Sequence, residues 1–162
     1  MMQSIAVANV KSKHLPSLEY IPALTKKEKV VYQMMLSTLN YHEMEDILGL
    51  SKGGVRFHVA KILLKLKYGN RTELLSDYYE QIRNPADLHY NCGLELDEMG
   101  SSVFQCMVKG FTSAEIRSIV CIEMKKILMR RKKIIQSAKV NNVLELAFIY
   151  YGVGGYCKGG AE

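Results

Sequence analysis

Two stretches of the chain place basic side chains at helical spacing. Lys52, Arg56 and Ala60 are spaced four residues apart, so a helix would carry them on one side. The run from Lys125 to Lys133 holds six basic residues in nine positions. A helix fits the major groove of DNA, where arginine can bind guanine through two hydrogen bonds and lysines can contact phosphates. Both stretches are therefore candidates for contact with nucleic acid.

The overall charge points the same way. The 162 residues carry a formal net charge of +6 and a pI of about 9.1, which favours a polyanionic partner, either nucleic acid or an anionic membrane surface. A solvated helix face is the alternative interpretation of the run 125–133. We find no apolar run of about 18 residues and no signal peptide at the N-terminus, so we expect a cytoplasmic protein.

The sequence gives little support for a metal site or for catalysis. The cysteines form no C-x-x-C pair, so we expect no zinc site; they are Cys92, Cys106, Cys121 and Cys157. Cys106 and Cys121 lie in apolar runs, where we expect thiols that behave as small hydrophobic groups. His42, Glu43 and Glu45 could suggest a cluster, but Glu43 is better explained as a helix cap. We see no catalytic constellation, and predict neither an enzyme nor a cofactor.

A repeat organises the chain. When the sequence is compared with itself at an offset of 72 residues, it matches without a gap. The identical pairs include Leu24 with Leu96, Val31 with Val103, Met35 with Met107, Glu43 with Glu115, Ile62 with Ile134, Asn70 with Asn142, Leu74 with Leu146, Tyr78 with Tyr150 and Tyr79 with Tyr151. Because the matches preserve an apolar spacing, we predict two equivalent units, 24–82 and 96–151.

Helix-start signals divide each unit into four helical segments. Capping boxes, in which a side chain and a carboxylate satisfy free backbone N–H groups, are predicted at Thr25-x-x-Glu28, Asn40-x-x-Glu43, Thr112-x-x-Glu115, Asn70-x-x-Glu73 and Asn142-x-x-Glu145. Ser51 can cap the third segment. Apolar residues follow at helical spacing, and no alternating strand pattern is present. The predicted fold is all-α, with two tandem four-helix units.

The stretch from Leu24 to Leu74 carries a set of residues at fixed spacing, which are Leu24, Thr25, Lys27, Glu28, Glu43, Met44, Glu45, Leu48, Gly49, Leu50, Ser51, Gly54, Val55, Arg56, His58, Ile62, Lys65, Leu66, Asn70, Arg71 and Leu74. These residues stand at the motif positions of the LuxR/GerE-type helix-turn-helix of bacterial transcription regulators, which the stretch resembles. The second unit resembles a diverged copy. Two departures stand out: Glu45 and Arg117 replace a small residue where the two helices of the motif cross, and Gly53 and Gly54 open the third segment.

The resemblance implies which residues meet DNA. The base-reading positions correspond to Arg56, Phe57 and Ala60 in the first unit, and to Leu128, Met129 and Lys132 in the second. The full set of expected DNA contacts is Lys52, Arg56, Phe57, His58, Ala60, Lys61 and Lys65, together with Lys125, Lys126, Met129, Arg130, Lys132 and Lys133. The second set is more basic and less able to read bases, which suits phosphate contact.

The fourth segment mediates subunit contact in the family, so the resemblance assigns its aromatic residues to packing. The expected interface residues are Leu74, Tyr78, Tyr79, Leu146, Tyr150 and Tyr151. The remaining chain divides into an N-terminal extension (1–23), a linker (83–95) in which Leu88 and Tyr90 could dock, and a glycine-rich tail (152–162). The chain could act as a monomeric pseudo-dimer or as a homodimer.

The sequence therefore predicts a cytoplasmic, bacterial regulator that binds specific double-stranded DNA, with activation favoured by analogy to the family. RNA polymerase or another regulator is a possible partner. Two alternatives stay open. One is a protein-interaction regulator whose second unit binds a partner protein, and the other is a non-specific architectural DNA-binding protein.

Overall fold

The computed structural model describes residues 24–82 and 94–153, and these residues form eight α-helices and no strand. The helices are α1 (Lys26–Met35), α2 (Tyr41–Leu48), α3 (Lys52–Leu66), α4 (Arg71–Ile82), α5 (Glu98–Val108), α6 (Ser113–Val120), α7 (Met124–Ser137) and α8 (Val143–Tyr150). The all-α prediction is confirmed for these ranges. Each helix from α5 to α8 begins 72 residues after its counterpart in α1 to α4.

Several predictions concern residues outside this description. The extension 1–23, most of the linker and the tail from residue 154 onward are among them, and so are Leu88, Tyr90, Cys92 and Cys157. Within the described ranges, no helix is long and apolar enough to cross a membrane.

The helix starts follow from their caps. The capping boxes at Thr25 and Glu28, at Asn40 and Glu43, and at Thr112 and Glu115 are all present, and the Ser51 hydroxyl accepts from the Gly54 N–H at 3.3 Å. At α4 only one of the two hydrogen bonds of the predicted capping box is present. Asn70 accepts from the Glu73 N–H, but the Glu73 carboxylate accepts from the N–H of Gly69 rather than from that of Asn70. Glu145 at α8 likewise accepts from the N–H of Asn141.

Two hydrophobic cores hold the helices together. The first includes Val31, Met35, Met44, Val55, Ile62 and Leu74. The second includes Val103, Met107, Ile116, Ile127, Ile134 and Leu146, the residues 72 positions further along. Full burial of such a side chain contributes about 1.5–3 kcal/mol. The same register of buried residues therefore builds both cores.

Helix α4 belongs to both cores and joins them. Its Leu74 lies in the first core, whereas Leu75 and Tyr79 lie in the second. The Tyr79 ring stacks on the Tyr151 ring, with centroids 5.9 Å apart and planes 18° apart. The Tyr151 hydroxyl hydrogen-bonds to the Ser76 hydroxyl at 2.7 Å. Helices α4 and α8 are thus packed against each other within one chain.

A glycine permits a second contact between the two halves. The Asn70 side-chain amide donates to the Gly110 carbonyl at 2.8 Å. Gly110 has φ +84°, and a Cβ placed there would lie 2.5 Å from the backbone nitrogen of Glu73. Only a residue without a side chain allows the loop between α5 and α6 to approach the start of α4 so closely.

Two details differ from the sequence-based expectations. Cys106 is buried, as expected, but the prediction for Cys121 is wrong. Cys121 is exposed and ends α6 with φ 55°, so it projects from a helix terminus instead of joining the core. Val153, which the sequence analysis assigned to the glycine-rich tail, is buried in the second core.

Candidate nucleic-acid interface

Helices α2 and α3 form the helix-turn-helix of the first half. Gly49 ends α2 in the left-handed conformation, with φ 60°, and its N–H donates to the Glu45 carbonyl. A glycine adopts this conformation without the strain that a side chain would add. Two residues later Ser51 caps α3. The short turn therefore fixes how α3 leaves α2.

The outer face of α3 carries the side chains that could meet a ligand. Val55, Val59 and Ile62 point into the first core. The exposed residues on the opposite side follow at spacings of three and four and are Arg56, Phe57, Ala60, Lys61 and Leu64. Phe57 is 64% exposed. A continuous outward stripe thus combines a guanidinium, an aromatic ring and an ammonium group.

Arg56 lies at the centre of this stripe. Its guanidinium carbon is 6.0 Å from the centroid of the Tyr41 ring, at the start of α2. The aromatic contact restrains the side chain, and the side chain is exposed. Arg56 can therefore donate hydrogen bonds to a partner. The side chain of Lys52 is not among those that the structure describes.

Lys61 and Lys65 make contacts that the sequence did not predict. The buried Glu28 carboxylate lies 2.7 Å from Lys65 Nζ and 3.5 Å from Lys61 Nζ. The hydrogen bond from Lys65, followed by that from the Thr25 backbone, lowers the pKa of Glu28 to about 2. These ion pairs hold α3 against the start of α1. Lys61 is still half exposed and can reach a phosphate, whereas Lys65 is more enclosed.

The crossing of α2 and α3 contains two unpaired polar atoms. Glu45 Oε1 and His58 Nδ1 are buried and have no hydrogen-bond partner among the described residues. The other carboxylate oxygen of Glu45 lies 3.6 Å from His42 Nδ1, and the His58 ring packs edge-on to Phe57. The position that the family fills with a small residue therefore holds an incompletely paired carboxylate here. Arg117, its counterpart in the second half, is exposed.

Arg71 positions α4, a role that the spacing of residues did not reveal. Its guanidinium donates to the carbonyls of Met35 at 2.7 Å, Met34 at 3.1 Å and Ser37 at 2.7 Å. Burial lowers the pKa of Arg71 to about 10. The charge compensates the partial negative charge at the end of α1 and also lies over the Phe148 ring. Arg71 thereby links α1, α4 and α8.

Helix α7 presents a different face at the equivalent positions. Leu128 and Met129 are 53% and 64% exposed where α3 has Arg56 and Phe57. The exposed lysines around them are Lys125, Lys126, Lys132 and Lys133. This face lacks the central arginine but is surrounded by ammonium groups.

The two arginines of α7 are engaged within the chain. Arg130 Nη1 donates to both oxygens of Asp97, at 2.6 and 2.9 Å, which lowers the pKa of Asp97. Arg131 donates to the Phe111 carbonyl at 3.3 Å, and burial lowers the pKa of Arg131. Both guanidinium groups hold α7 in place, so the lysines carry the available charge of this helix.

The starts of the two helices also differ. The N-cap of α7 is Glu123, which makes no side-chain cap hydrogen bond and lies 3.8 Å from Lys126. The equivalent residue of α3 is the Ser51 cap. A carboxylate therefore stands at the α7 terminus where the first half has a neutral hydroxyl.

The residues expected at an interface all lie in packed surroundings. Leu74 and Leu146 are buried in separate cores, and Tyr79 stacks on Tyr151. Tyr78 is partly buried and contacts both cores. Tyr150 packs edge-on to Phe104 at 5.6 Å. Among the described residues, no group of His, Cys, Asp and Glu could hold a metal ion.

Comparison with protein families gives one match. Residues 22–76 match the GerE model, described as bacterial regulatory proteins of the luxR family. Comparisons with curated proteins and with solved structures gave no match. The matched segment covers α1, α2, α3 and the first half of α4. Residues 22–76 thus contain a GerE/LuxR-family helix-turn-helix domain, which implies a DNA-binding transcription regulator.

Proposed function

We propose that this protein binds specific sequences of double-stranded DNA and regulates transcription, with α3 inserted in the major groove. Activation is the direction favoured by analogy with the family, and RNA polymerase or another regulator would be the protein partner. The protein would act in the cytoplasm of a bacterial cell.

The exposed face of α3 carries the proposal. Arg56, Phe57 and Ala60 point outward from a helix that Val55, Val59 and Ile62 anchor in the core. A helix held in this way can enter a groove as a rigid unit. The face combines a side chain that can donate two hydrogen bonds with one that can pack on a methyl group, and specific readout of base edges uses both kinds of contact.

Each side chain would have a distinct role. Arg56 would donate to the N7 and O6 atoms of a guanine, and Phe57 would pack on a thymine methyl group. Lys61, held near α1 by Glu28, would contact a phosphate and set the orientation of the helix. The Ser51 cap lies at the α3 terminus, whose free N–H groups and positive dipole favour a phosphate oxygen.

The test begins with selection of bound fragments from genomic DNA, followed by gel-shift titration against a selected fragment and against random DNA. The matched variants are Arg56→Ala and Leu128→Ala, which truncate equivalent residues of α3 and α7. Arg56→Ala should weaken specific binding by about 1–3 kcal/mol, or about 5- to 150-fold. Leu128→Ala should leave the ratio of specific to random binding unchanged.

Two results would contradict the proposal. Equal affinity for selected and random DNA would indicate an architectural protein, and no affinity for either would indicate a protein-interaction regulator. Circular dichroism of each variant establishes that it is folded, so that loss of binding can be assigned to the missing side chain.

A further inference from the structure

We infer that a single chain is the complete DNA-binding unit, and that it occupies one asymmetric site in which α3 reads bases while α7 holds the DNA backbone. This inference rests on the proposed function and adds to it the stoichiometry of the complex and the role of the second half.

The contact between α4 and α8 has the character of a two-fold interface. In an isologous contact, a residue near the axis meets its own copy. Tyr79 and Tyr151 are separated by the repeat distance of 72 residues, and their rings stack on each other. Each ring also packs edge-on to the preceding tyrosine, Tyr78 or Tyr150. One chain therefore forms internally the kind of contact that two identical subunits form in a symmetric dimer.

This interface is closed to a second copy of the chain. Phe148 and Tyr151 of the α8 segment are buried, and the Arg71 guanidinium covers the Phe148 ring at 5.7 Å. The large apolar side chains that are exposed in the described ranges lie in other segments than α4 and α8. The surface that a homodimer would use is thus already occupied within the chain.

The packing around α3 recurs around α7. Helix α3 contacts α1 and α2, and α7 contacts α5 and α6. The buried residues Val55 and Ile62 of α3 have Ile127 and Ile134 as their counterparts in α7. Helices α3 and α7 therefore occupy equivalent places in their own halves. In two-fold helix-turn-helix dimers the equivalent helices enter grooves about one turn of DNA apart, and the symmetry of the site mirrors that of the protein.

The difference between the two faces makes the site asymmetric. Leu128 of α7 has no hydrogen-bonding group to replace the guanidinium of Arg56. The lysines of α7 are exposed, and the pair Lys132 and Lys133 lies one turn beyond Met129. Ammonium groups contact phosphates without regard to sequence. The half-site under α7 should therefore contribute affinity that depends on salt, and little base preference.

Footprinting combined with light scattering tests the stoichiometry. The free protein should have the mass of one chain. Its complex with a selected fragment should contain one chain and protect a single site of about 20 base pairs that is not a palindrome. Two chains on a palindromic site would overturn the inference and leave the proposed function intact. If no fragment is selected at all, the proposed function itself fails.

The dependence of binding on salt tests the role of α7. Replacing Lys132 and Lys133 with alanine should reduce the slope of log K against log salt by nearly two units, about 0.9 for each phosphate contact, with the base preference unchanged. The control is Lys26→Ala with Lys27→Ala, which removes the same charge from the exposed start of α1. A slope that is unchanged, or reduced only as much as in the control, would overturn the inference and indicate that α7 faces a partner protein.

Discussion

The two halves of the chain have similar buried residues at equivalent positions, but their exposed residues differ. Ile62 and Ile134 are buried at equivalent positions, whereas the exposed Arg56 is replaced by Leu128 and the capping Ser51 by Glu123. Burial constrains the first pair, because a core position tolerates little change in volume or polarity. The spacing of core residues therefore determines the helical fold, while the proposed ability to read DNA depends on a few exposed residues that can change without loss of the fold.

The halves also hold their helices by different means. In the first half, the buried Glu28 and Arg71 connect α1 with α3 and α4 through charged contacts. At the equivalent positions the second half has Gly100 and Val143, and its Arg130 binds Asp97 instead. We therefore expect the first half to respond more strongly to loss of charge and to acid.

The largest expected effect comes from a substitution at the contact between the two halves. Gly110→Ala places a Cβ 2.5 Å from the Glu73 nitrogen at a backbone angle of φ +84°. We expect a loss of about 3 kcal/mol or more in the free energy of unfolding, from backbone strain and steric overlap together. Urea unfolding followed by circular dichroism measures it.

Gly49→Ala is the matched control for this variant. Gly49 also has a positive φ, of 60°, but a Cβ there meets nothing within 4 Å. It should cost only the conformational strain, about 1–2 kcal/mol. Equal losses in the two variants would show that the close approach of Gly110 to α4 does not matter for stability.

A slightly smaller effect is expected at Arg71. Arg71→Ala leaves the carbonyls of Met35 and Ser37 without this donor in a buried region, which should reduce the free energy of unfolding by about 2–3 kcal/mol. Arg117→Ala, at an exposed arginine of α6, should change it by less than about 0.5 kcal/mol. Thermal unfolding of the two variants side by side provides the measurement, and similar Tm values would contradict the role assigned to Arg71.

Acid should distinguish the halves through Glu28. Its pKa is about 2 in the folded protein and 4.5 ordinarily, so the carboxylate contributes stability above pH 4.5 that is lost as the pH falls towards 2. Glu28→Gln retains an acceptor for the Thr25 N–H but removes the charge paired with Lys65 and Lys61. The variant should be less stable than the parent at pH 7 and should lose less stability between pH 5 and pH 2.

Glu115→Gln is the control in the second half. Hydrogen bonds from Thr112, and not a lysine, lower the pKa of Glu115. Because Glu115→Gln leaves the ion pairs of Glu28 in place, its urea midpoint should fall between pH 5 and pH 2 nearly as much as that of the parent, and more than that of Glu28→Gln. The reverse order would mean that the ion pairs of Glu28 do not hold α3 to α1.

The smallest effect is a gain in stability at the start of α3. Gly53 is helical and exposed, and a Cβ there meets nothing within 4 Å. Gly53→Ala should stabilise the protein by up to about 1 kcal/mol, because glycine is the poorer helix former. The equivalent residue of α7 is Lys125, and Lys125→Ala should have a smaller effect. A decrease in Tm for Gly53→Ala would show that a side chain is not tolerated at this position.

The positions of the helices could largely be predicted from the sequence, because the signals that mark them are local. The box of Thr25 and Glu28 and the cap at Ser51 depend on residues three apart, and the helices begin where these signals place them. The apolar spacing of Val55 and Ile62 likewise identified the inner face of α3. Local hydrogen bonding and helical periodicity are enough for such predictions.

The contacts between distant segments could not be predicted in this way. Glu28 was recognised as a cap, but nothing in its neighbourhood indicated the ion pair with Lys65, which is 37 residues away. The expectation that Cys121 behaves as a small hydrophobic group was wrong, because an apolar run does not reveal that a residue within it ends a helix with a positive φ and is exposed. The long-range partners of Arg71, Arg130 and Gly110 depend on tertiary packing in the same way.

The central claim is that α3 reads DNA through Arg56, and a base-pair substitution scan tests it most directly. Affinity is measured for a selected site with each base pair replaced in turn, using the parent protein and Arg56→Ala. The parent should lose about 1–3 kcal/mol when one particular G·C pair is replaced. Arg56→Ala should show no preference at that pair and keep its preferences elsewhere. An identical profile for the folded variant and the parent would contradict the claim.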